Sequence, residues 1–471
     1  MQEPFQGGQR LYMLPIGGTA MASLAGLLHL AGHRVEGVDS HLYPPMSTIL
    51  EELGLPVRVG FDPAAIPASI DRVVIGNAVG RDNPEVREVL RRGVPYLAQA
   101  EAVAHYLLAE GREAIVVAGT HGKTTTSALL AWVLETVQMD PTYLVGGMLS
   151  WSQRSFRLGH GPWMVIEGDE YNTAFFDRGP KFLHYRPQLF LLGPVEFDHA
   201  DIYPTLDAVL TGFRAGTAQV PPHGRVVVNA SSQTTLDAVR DATAPLVRVG
   251  PEDDHEVRLS DERSGPDGSS ACLRWRGEDL TLHVPLVGRH NLHNAAMAFT
   301  GAVLAGVAAG DALAALARFP GVKRRLEVVG TVRSITVVDD FAHHPTAVAA
   351  TVAAARERWP GRRLIIAYEP RSLTAGRTLF HEAYVRAFSG ADVVLMAPVY
   401  HHDRLQPEDR LDLPRLARDL EGIGLAVCLP ARGEDPVNTI LPLLESGDVV
   451  VACSSGSFEG FCRRLVEQLT R

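Results

Sequence analysis

The chain has few cysteines and no long hydrophobic run. Its 471 residues include only four cysteines, and none of them forms the Cys-x-x-Cys spacing of a zinc site or part of a disulfide framework: Cys272, Cys428, Cys453 and Cys462. No apolar stretch is long enough to span a bilayer, and the N-terminus lacks the basic and apolar parts of a signal peptide. We therefore expect a cytoplasmic protein whose thiols are buried and structural.

A concentrated stripe of Lys and Arg is also missing. The net charge is −10, which argues against nucleic acid as a partner and requires anionic ligands to be held by local sites. With 46% hydrophobic and 21% charged residues the chain can bury sizeable cores, but it is too long for a single one. Composition thus predicts two to four domains, with no membrane partner.

A glycine-rich turn lies in the segment Ala118-Gly-Thr-His-Gly-Lys-Thr-Thr125. An apolar run before it predicts a buried strand, and the apolar spacing after it predicts a helix. Such a turn can bind a polyphosphate through backbone N–H groups, an ammonium and hydroxyls that hold Mg²⁺. The residues concerned are Gly119, Thr120, His121, Gly122, Lys123, Thr124 and Thr125. The alternative is a tight strand-to-helix turn with a threonine cap.

Acidic side chains follow the next predicted strand, which begins at Trp163 and ends with Glu167, Asp169 and Glu170. Carboxylates at the carboxyl end of a strand beside a phosphate loop are typical Mg²⁺ ligands. His199 lies among further acids, so it is either a ligand of a second metal ion or part of a helix cap. Together with Lys123 these residues predict a site for a nucleotide and two metal ions.

The N-terminal segment 11–39 has the order strand, Gly-rich turn, helix and strand, which is typical of a dinucleotide fold. Gly17 and Gly18 form the turn, and Asp39 ends the second strand, where an acid can contact a ribose or a base. Pro15 stands where the first glycine of the pattern is expected. A purely structural turn is therefore the alternative.

The second half of the chain adds two candidate sites. Segment 250–270 is rich in polar residues and Gly, which suggests an exposed excursion within one domain. Further on, Gly288-Arg-His-Asn-Leu-His-Asn294 opens a helix. Its His and Asn side chains either contact an adenine edge or cap the helix. A boundary is predicted near Phe319. Lys323-Arg-Arg325 follows it, either as a phosphate contact or as a solvated charge run, before a third α/β domain.

Taken together, these motifs resemble the Mur ligase family over nearly the whole chain. They are the phosphate loop, Glu-x-Asp-Glu170, Asp198-His199, His290-Asn291 with Asn294, and Asp339-Asp-Phe-Ala-His-His-Pro-Thr346. The resemblance implies an α/β protein with three domains. These are a Rossmann-like UDP-sugar-binding domain (1–111), a central P-loop ATPase domain (112–320) and a Rossmann-like C-terminal domain that binds peptide and closes over ATP (321–471).

Within the family, segments 39–48, 169–177, 181–185 and 196–202 resemble the branch that recycles cell-wall tripeptide. The resemblance implies an ATP- and Mg²⁺-dependent ligase that joins L-alanyl-γ-D-glutamyl-meso-diaminopimelate to the lactyl carboxylate of UDP-N-acetylmuramate through an acyl phosphate. It also implies a monomer or weak dimer. The rivals are a same-fold ligase for free L-alanine, which the Ala174-Phe-Phe-Asp177 run argues against, a P-loop switch or motor, and a non-catalytic UDP-sugar-binding protein.

The resemblance also assigns roles to individual residues. Catalysis would depend on Lys123, Glu167, His199, Arg325 and His344. Metal ions would be held by Thr124, Glu167 and His199. Beyond the phosphate loop, ATP would contact His290, Asn291, Asn294, Arg325 and Asp340. UDP-N-acetylmuramate would contact Gly17, Gly18, Met21, Asp39 and Asn77, and the peptide Arg371 and Ser372.

Three departures from the family pattern affect these assignments: Pro15 in the first turn, Gly193-Pro194 ahead of Glu196, and Leu373 after Ser372. None of them removes Lys123, Glu167 or His199. The lysine that related ligases carbamylate has no match here, which is consistent with a branch in which His199 and acids hold the second metal ion.

Overall fold

The computed structural model of the protein describes residues 8–109, 111–200, 202–431 and 433–471. Within them three large sheets, of five, ten and six strands, follow one another along the chain, and a two-stranded hairpin accompanies the second. No helix of this part of the chain is long and apolar enough to cross a membrane. The predicted α/β class with three successive domains is confirmed.

The first domain is a parallel sheet of order β3-β2-β1-β4-β5. Its strands are β1 (Arg10–Leu14), β2 (Arg34–Asp39), β3 (Val57–Val59), β4 (Arg72–Ile75) and β5 (Tyr96–Ala98), and its α-helices are α1 (Thr19–Leu30), α2 (Met46–Glu52), α3 (Pro84–Arg92) and α4 (Gln99–Val103). The strand order reverses between β1 and β4, so the turn from β1 to α1 lies at the switch point where such sheets bind ligands.

The second domain contains the ten-stranded sheet of order β17-β16-β15-β14-β13-β12-β6-β9-β7-β8. Its strands are β6 (Glu113–Ala118), β7 (Thr142–Leu144), β8 (Phe156–Arg157), β9 (Trp163–Gly168), β10 (Asn172–Ala174), β11 (Asp177–Pro180), β12 (Leu189–Leu192), β13 (Arg225–Asn229), β14 (Leu246–Gly250), β15 (Val257–Gly265), β16 (Gly268–Trp275) and β17 (Glu278–Val284). Its α-helices are α5 (Lys123–Thr136), α6 (Leu206–Thr217), α7 (Gln233–Asp237), α8 (Arg289–Leu304) and α9 (Ala309–Leu316).

Segment 250–270 stays within this domain, as predicted, but it is not an irregular excursion. Most of it forms β15 and the start of β16, which pair antiparallel and extend the sheet. Apolar residues alternate with polar ones at the start of β15, where Val257 and Leu259 are buried. The polar composition of the segment therefore reflects a hairpin with one exposed face.

The third domain has the sheet order β18-β19-β23-β20-β21-β22, in which only β18 runs antiparallel to its neighbour. Its strands are β18 (Glu327–Val332), β19 (Ile335–Asp340), β20 (Leu364–Tyr368), β21 (Val393–Met396), β22 (Ala426–Cys428) and β23 (Val449–Cys453). Its α-helices are α10 (Pro345–Arg358), α11 (His381–Phe388), α12 (Leu413–Gly422), α13 (Pro436–Ile440) and α14 (Phe461–Thr470).

The first two domains share one hydrophobic core. A single cluster of buried side chains includes Leu24 and Leu27 of α1 together with Phe156 and Phe182 of the second domain. Phe156 fits against Gly26 so closely that a Cβ on this glycine would lie 2.3 Å from the ring. Most of the third domain's buried apolar residues belong to clusters of its own. The first two domains therefore form one packed unit, whereas the third domain packs largely around cores of its own.

We predict that Phe156→Ala destabilises this two-domain unit. The ring is 2% exposed, and emptying a buried phenylalanine site costs about 3–5 kcal/mol. Urea unfolding should show an earlier transition than in the wild type, whereas Val59→Ala, at a site 61% exposed, should change little. Equal stability of the two variants would contradict a shared core.

Candidate active site

A cavity of about 970 Å³ lies where the carboxyl ends of the second domain's parallel strands face the first and third domains. Most residues predicted to bind nucleotide or metal line it. These are Thr120, His121, Gly122, Lys123, Thr124, Thr125, Glu167, His199, His290, Asn291, Asn294, Arg325, Asp340 and His344. The structure therefore brings together, around one cavity, residues from motifs separated by more than two hundred residues.

The phosphate loop joins β6 to α5 and needs glycine at two points. Gly119 and Gly122 have φ of +126° and +80°, and a Cβ on Gly122 would lie 2.3 Å from Asn294 Oδ1. Asn294 also accepts a hydrogen bond from Thr126 Oγ1 at 3.3 Å. This asparagine of α8 therefore supports the phosphate loop from behind.

Lys123 is one of only three lysines in the chain. Its Nζ donates to both carboxylate oxygens of Glu170, at 2.9 and 3.0 Å, and to Gly119 O at 2.6 Å. Burial alone would lower the pKa of Lys123, but the carboxylates of Glu170 and Asp169 outweigh it and raise the pKa. The residue is thus a fixed ammonium at the mouth of the phosphate loop.

Glu167 ends β9 directly beside the loop. Its carboxylate accepts hydrogen bonds from Thr124 Oγ1 and Ser127 Oγ, each at 3.2 Å, and from Gly146 N. Burial, together with the charge of Asp169, raises the pKa of Glu167 by more than the nearby charges of Lys123 and Arg325 lower it. The hydroxyl of Thr124 and this carboxylate are oxygen ligands of the type that Mg²⁺ prefers, and the pair fits such an ion.

His199, in the segment between β12 and α6, has a φ of +54°. Its Nε2 is 3.0 Å from Glu170 Oε1, while its ring packs 4.3 Å from that of Tyr171. Burial would lower the pKa of His199, but the hydrogen bond to Glu170 and the charge of Asp198 raise it. The hydrogen-bond partner of His199 is thus Glu170, whereas the predicted metal set pairs it with Glu167.

A second cluster of titratable groups joins the second domain to the third. Glu196 Oε2 lies 3.3 Å from His121 Nε2, 3.8 Å from His344 Nδ1 and 2.7 Å from Thr346 Oγ1, which donates to it. Burial and the neighbouring His121 lower the pKa of His344 to about 4, so this imidazole is neutral at pH 7. Sequence reasoning found His121 and His344 but not Glu196 or Thr346, which lie within the same motifs.

The third domain also contributes Arg325 and Asp340 to the cavity wall. Arg325 lies over the ring of Phe341, 5.2 Å from its centroid. Its charge lowers the pKa of Glu167 and so opposes the burial that raises it. Asp340 accepts hydrogen bonds from Leu326 N at 2.7 Å, Ala342 N at 2.9 Å and Thr351 Oγ1 at 3.1 Å. Its carboxylate therefore fixes the segment that enters the third domain, besides facing the cavity.

The residues predicted to bind the sugar nucleotide and the peptide do not line this cavity: Gly17, Gly18, Met21, Asp39, Asn77, Arg371 and Ser372. Gly17 N donates to Asp39 Oδ2 at 2.7 Å, and Arg371 stacks on Tyr400 with 3.9 Å between guanidinium and ring centroid. The first domain reaches the cavity through Thr19, Ala20 and Gln99 instead. Sequence reasoning missed these three because no motif marks them.

Three matches to known sequence families cover most of the chain. Residues 10–110 match "Mur ligase family, catalytic domain", residues 117–302 match "Mur ligase middle domain", and residues 324–456 match "Mur ligase, glutamate ligase domain". Each match contains one of the three large sheets, except for the start of β6 in the second.

Individual relatives extend these matches over the full length. The UDP-N-acetylmuramate–L-alanyl-gamma-D-glutamyl-meso-2,6-diaminoheptandioate ligase of Haemophilus influenzae is 35% identical over 98% of this chain and 99% of its own. A UDP-N-acetylmuramate–L-alanine ligase of Halorhodospira halophila is 32% identical over 98% and 94%. The crystal structure of a murein peptide ligase from Psychrobacter arcticus superimposes with a TM-score of 0.75, at 31% identity and covering 98% and 99% of the two chains. On this evidence the chain belongs to the Mur ligase family.

Proposed function

We propose that the protein is an ATP-dependent ligase that joins the tripeptide L-alanyl-γ-D-glutamyl-meso-diaminopimelate to the lactyl carboxylate of UDP-N-acetylmuramate. The observation that carries this function is the 35% identity, across all three domains, to a ligase named for that reaction. The cavity supports it, because the phosphate loop, the acids of β9 and residues of the third domain line one space. The reaction belongs to peptidoglycan recycling.

The chemistry requires two anions, a carboxylate and a triphosphate, to approach each other before an amine displaces phosphate from the acyl phosphate. Lys123, already held as an ammonium by Glu170, offsets this charge at the phosphate loop. Arg325 brings a second positive charge from the third domain. Thr124 and Glu167 would hold Mg²⁺, which supplies further charge neutralisation on the phosphates.

The remaining assignments belong to the same proposal. The domain limits are 1–111, 112–320 and 321–471. His199 would hold a second metal ion, and Asp340 and His344 would act in the closed site. ATP is bound by the phosphate loop with His290, Asn291 and Asn294. The sugar nucleotide contacts Gly17, Gly18, Met21, Asp39 and Asn77, and the peptide contacts Arg371 and Ser372.

Peptide specificity is tested by phosphate release with Mg²⁺, ATP and UDP-N-acetylmuramate. We expect release with the tripeptide and little with free L-alanine, and mass spectrometry should identify the conjugate. Ligases for L-alanine are almost as similar to this chain, at 32% identity, so free alanine is the sharpest competing acceptor. Release with L-alanine alone would assign the protein to that reaction instead.

Lys123→Ala should lower the rate of conjugate formation at least about 100-fold, because the transition state loses its fixed ammonium. The comparison variant is Arg91→Ala, whose side chain is 72% exposed on α3 and should leave the rate unchanged. If Lys123→Ala retained the wild-type rate, the role of the phosphate loop would be wrong.

Closure of the third domain should depend on Thr346, which donates a hydrogen bond to Glu196 across the domain boundary. Small-angle scattering should show compaction when an ATP analogue and UDP-N-acetylmuramate bind. Thr346→Val should reduce this compaction and raise KM for ATP about threefold to tenfold, the effect of one lost hydrogen bond. Thr331→Val, on the third domain's edge strand, serves as the control; no compaction in the wild type would refute closure.

A further inference from the structure

Three hydrogen-bonded side chains form a relay at the wall of the cavity. Ser231 Oγ lies 3.2 Å from His293 Nδ1, and His293 Nε2 lies 3.2 Å from Glu262 Oε1. Ser231 follows β13, His293 belongs to the first turns of α8, and Glu262 belongs to β15. Ser231 and His293 line the cavity, whereas Glu262 lies behind them.

The chemistry of the groups fixes the direction of these hydrogen bonds. Glu262 accepts from Arg289 Nε at 2.6 Å, and a carboxylate can only accept, so His293 Nε2 must donate to it. Burial lowers the pKa of His293, which keeps the imidazole neutral and leaves Nδ1 as an acceptor. The hydroxyl of Ser231 must then donate to Nδ1. Its remaining lone pairs face the cavity, so Ser231 offers a ligand an acceptor only.

Asn229, two residues before Ser231, also lines the cavity and carries an amide donor. Its Oδ1 accepts from Ser231 N at 3.1 Å, which fixes the orientation of the amide and turns Nδ2 away. The side chain is 3% exposed and lines the cavity, and Nδ2 makes no hydrogen bond within residues 8–109, 111–200, 202–431 and 433–471. This amide donor is therefore open to a ligand in the cavity. The cavity wall thus pairs one free donor with one acceptor.

The position of the pair identifies the part of the ligand that it meets. Asn294 of α8 contacts the phosphate loop, and His293 precedes it on the same helix. The cavity is also lined by Thr19, Ala20 and Gln99 of the first domain, the domain that the proposed function assigns to the sugar nucleotide. This step rests on the proposed function, and it places the base of ATP on the α8 side, near Ser231.

We propose that Ser231 and Asn229 read the base of the nucleotide, with His293 and Glu262 as positioning residues that fix the polarity of Ser231. Ser231 Oγ accepts from the 6-amino group of adenine, and Asn229 Nδ2 donates to a neighbouring ring nitrogen. A 6-oxo purine would turn a carbonyl oxygen towards the lone pairs of Ser231. The relay therefore excludes hypoxanthine and guanine nucleotides.

The test is calorimetric binding of ADP and IDP in the presence of Mg²⁺, because hypoxanthine replaces the 6-amino group of adenine by a carbonyl. The wild type should bind ADP at least about tenfold more tightly than IDP, since IDP loses one hydrogen bond and gains a repulsive contact. Ser231→Ala should reduce this ratio to about threefold or less, and Ser231→Thr, which keeps the hydroxyl, should restore it.

Glu262→Gln tests the relay itself. A carboxamide can donate as well as accept, so the direction of the hydrogen bonds is no longer fixed and the ADP/IDP ratio should fall to about threefold or less. Glu256→Gln is the matched control, because it makes the same change in a residue paired with Arg248 outside the cavity, and it should keep the wild-type ratio.

Equal affinities for ADP and IDP in the wild type would overturn the proposal. An unchanged ratio in Ser231→Ala, or an absence of ADP binding, would do the same. These affinities are measured without the peptide substrate and without amide formation. A protein that shows the expected ratio but makes no conjugate would therefore count against the proposed ligase reaction alone.

Discussion

The active-site architecture depends on how buried charges are balanced where β9 meets the phosphate loop. Glu167, Asp169 and Glu170 lie within four residues, and two of the chain's three lysines, Lys123 and Lys181, lie beside them. Lys181 Nζ is 3.0 Å from Asp169 Oδ2, so Asp169 and Glu170 each have a lysine partner. Glu167 has no such lysine ion pair within the described residues, and burial together with the charge of Asp169 raises its pKa. The unbalanced carboxylate is the one best placed beside Thr124 for a metal ion.

The phosphate loop needs rigid support from the first two domains, whereas the third domain must be free to close over it. The shared core around Phe156 fixes the first domain against the second, so the sheet that carries Thr19 and Ala20 keeps its place relative to the phosphate loop. The third domain adds Arg325 and His344 from its own packed unit. Its attachment passes through Arg324 and Leu326, whose φ of +61° and +48° are costly for non-glycine residues. Asp340 holds that turn by accepting from Leu326 N.

The sequence predicts the parts of this site that follow from local chemistry. A Gly-rich turn between a strand and a helix identifies Lys123, and acids at a strand end identify Glu167, because parallel strands bring such residues to one edge. The sequence does not predict which side chains pair across that edge. His199 reaches Glu170 because its left-handed backbone aims the ring there, and no spacing rule contains that angle. Thr19 and Gln99 reach the cavity through domain packing, which depends on the buried surfaces of two domains.

The same limit explains why Ser231 and Asn229 carry no recognisable motif. Each acquires its role from a neighbour distant in the chain: Ser231 from His293, 62 residues away, and His293 from Glu262, 31 residues away. A serine hydroxyl accepts and donates equally well in isolation, so its type alone cannot discriminate between two purines. Discrimination arises only because the carboxylate of Glu262 makes His293 donate from Nε2 and accept at Nδ1. The Ser231 hydroxyl must then donate to His293, and towards a ligand it can only accept. The hairpin of β15 and β16, which supplies Glu262, then belongs to the nucleotide site although its residues have the composition of an exposed loop.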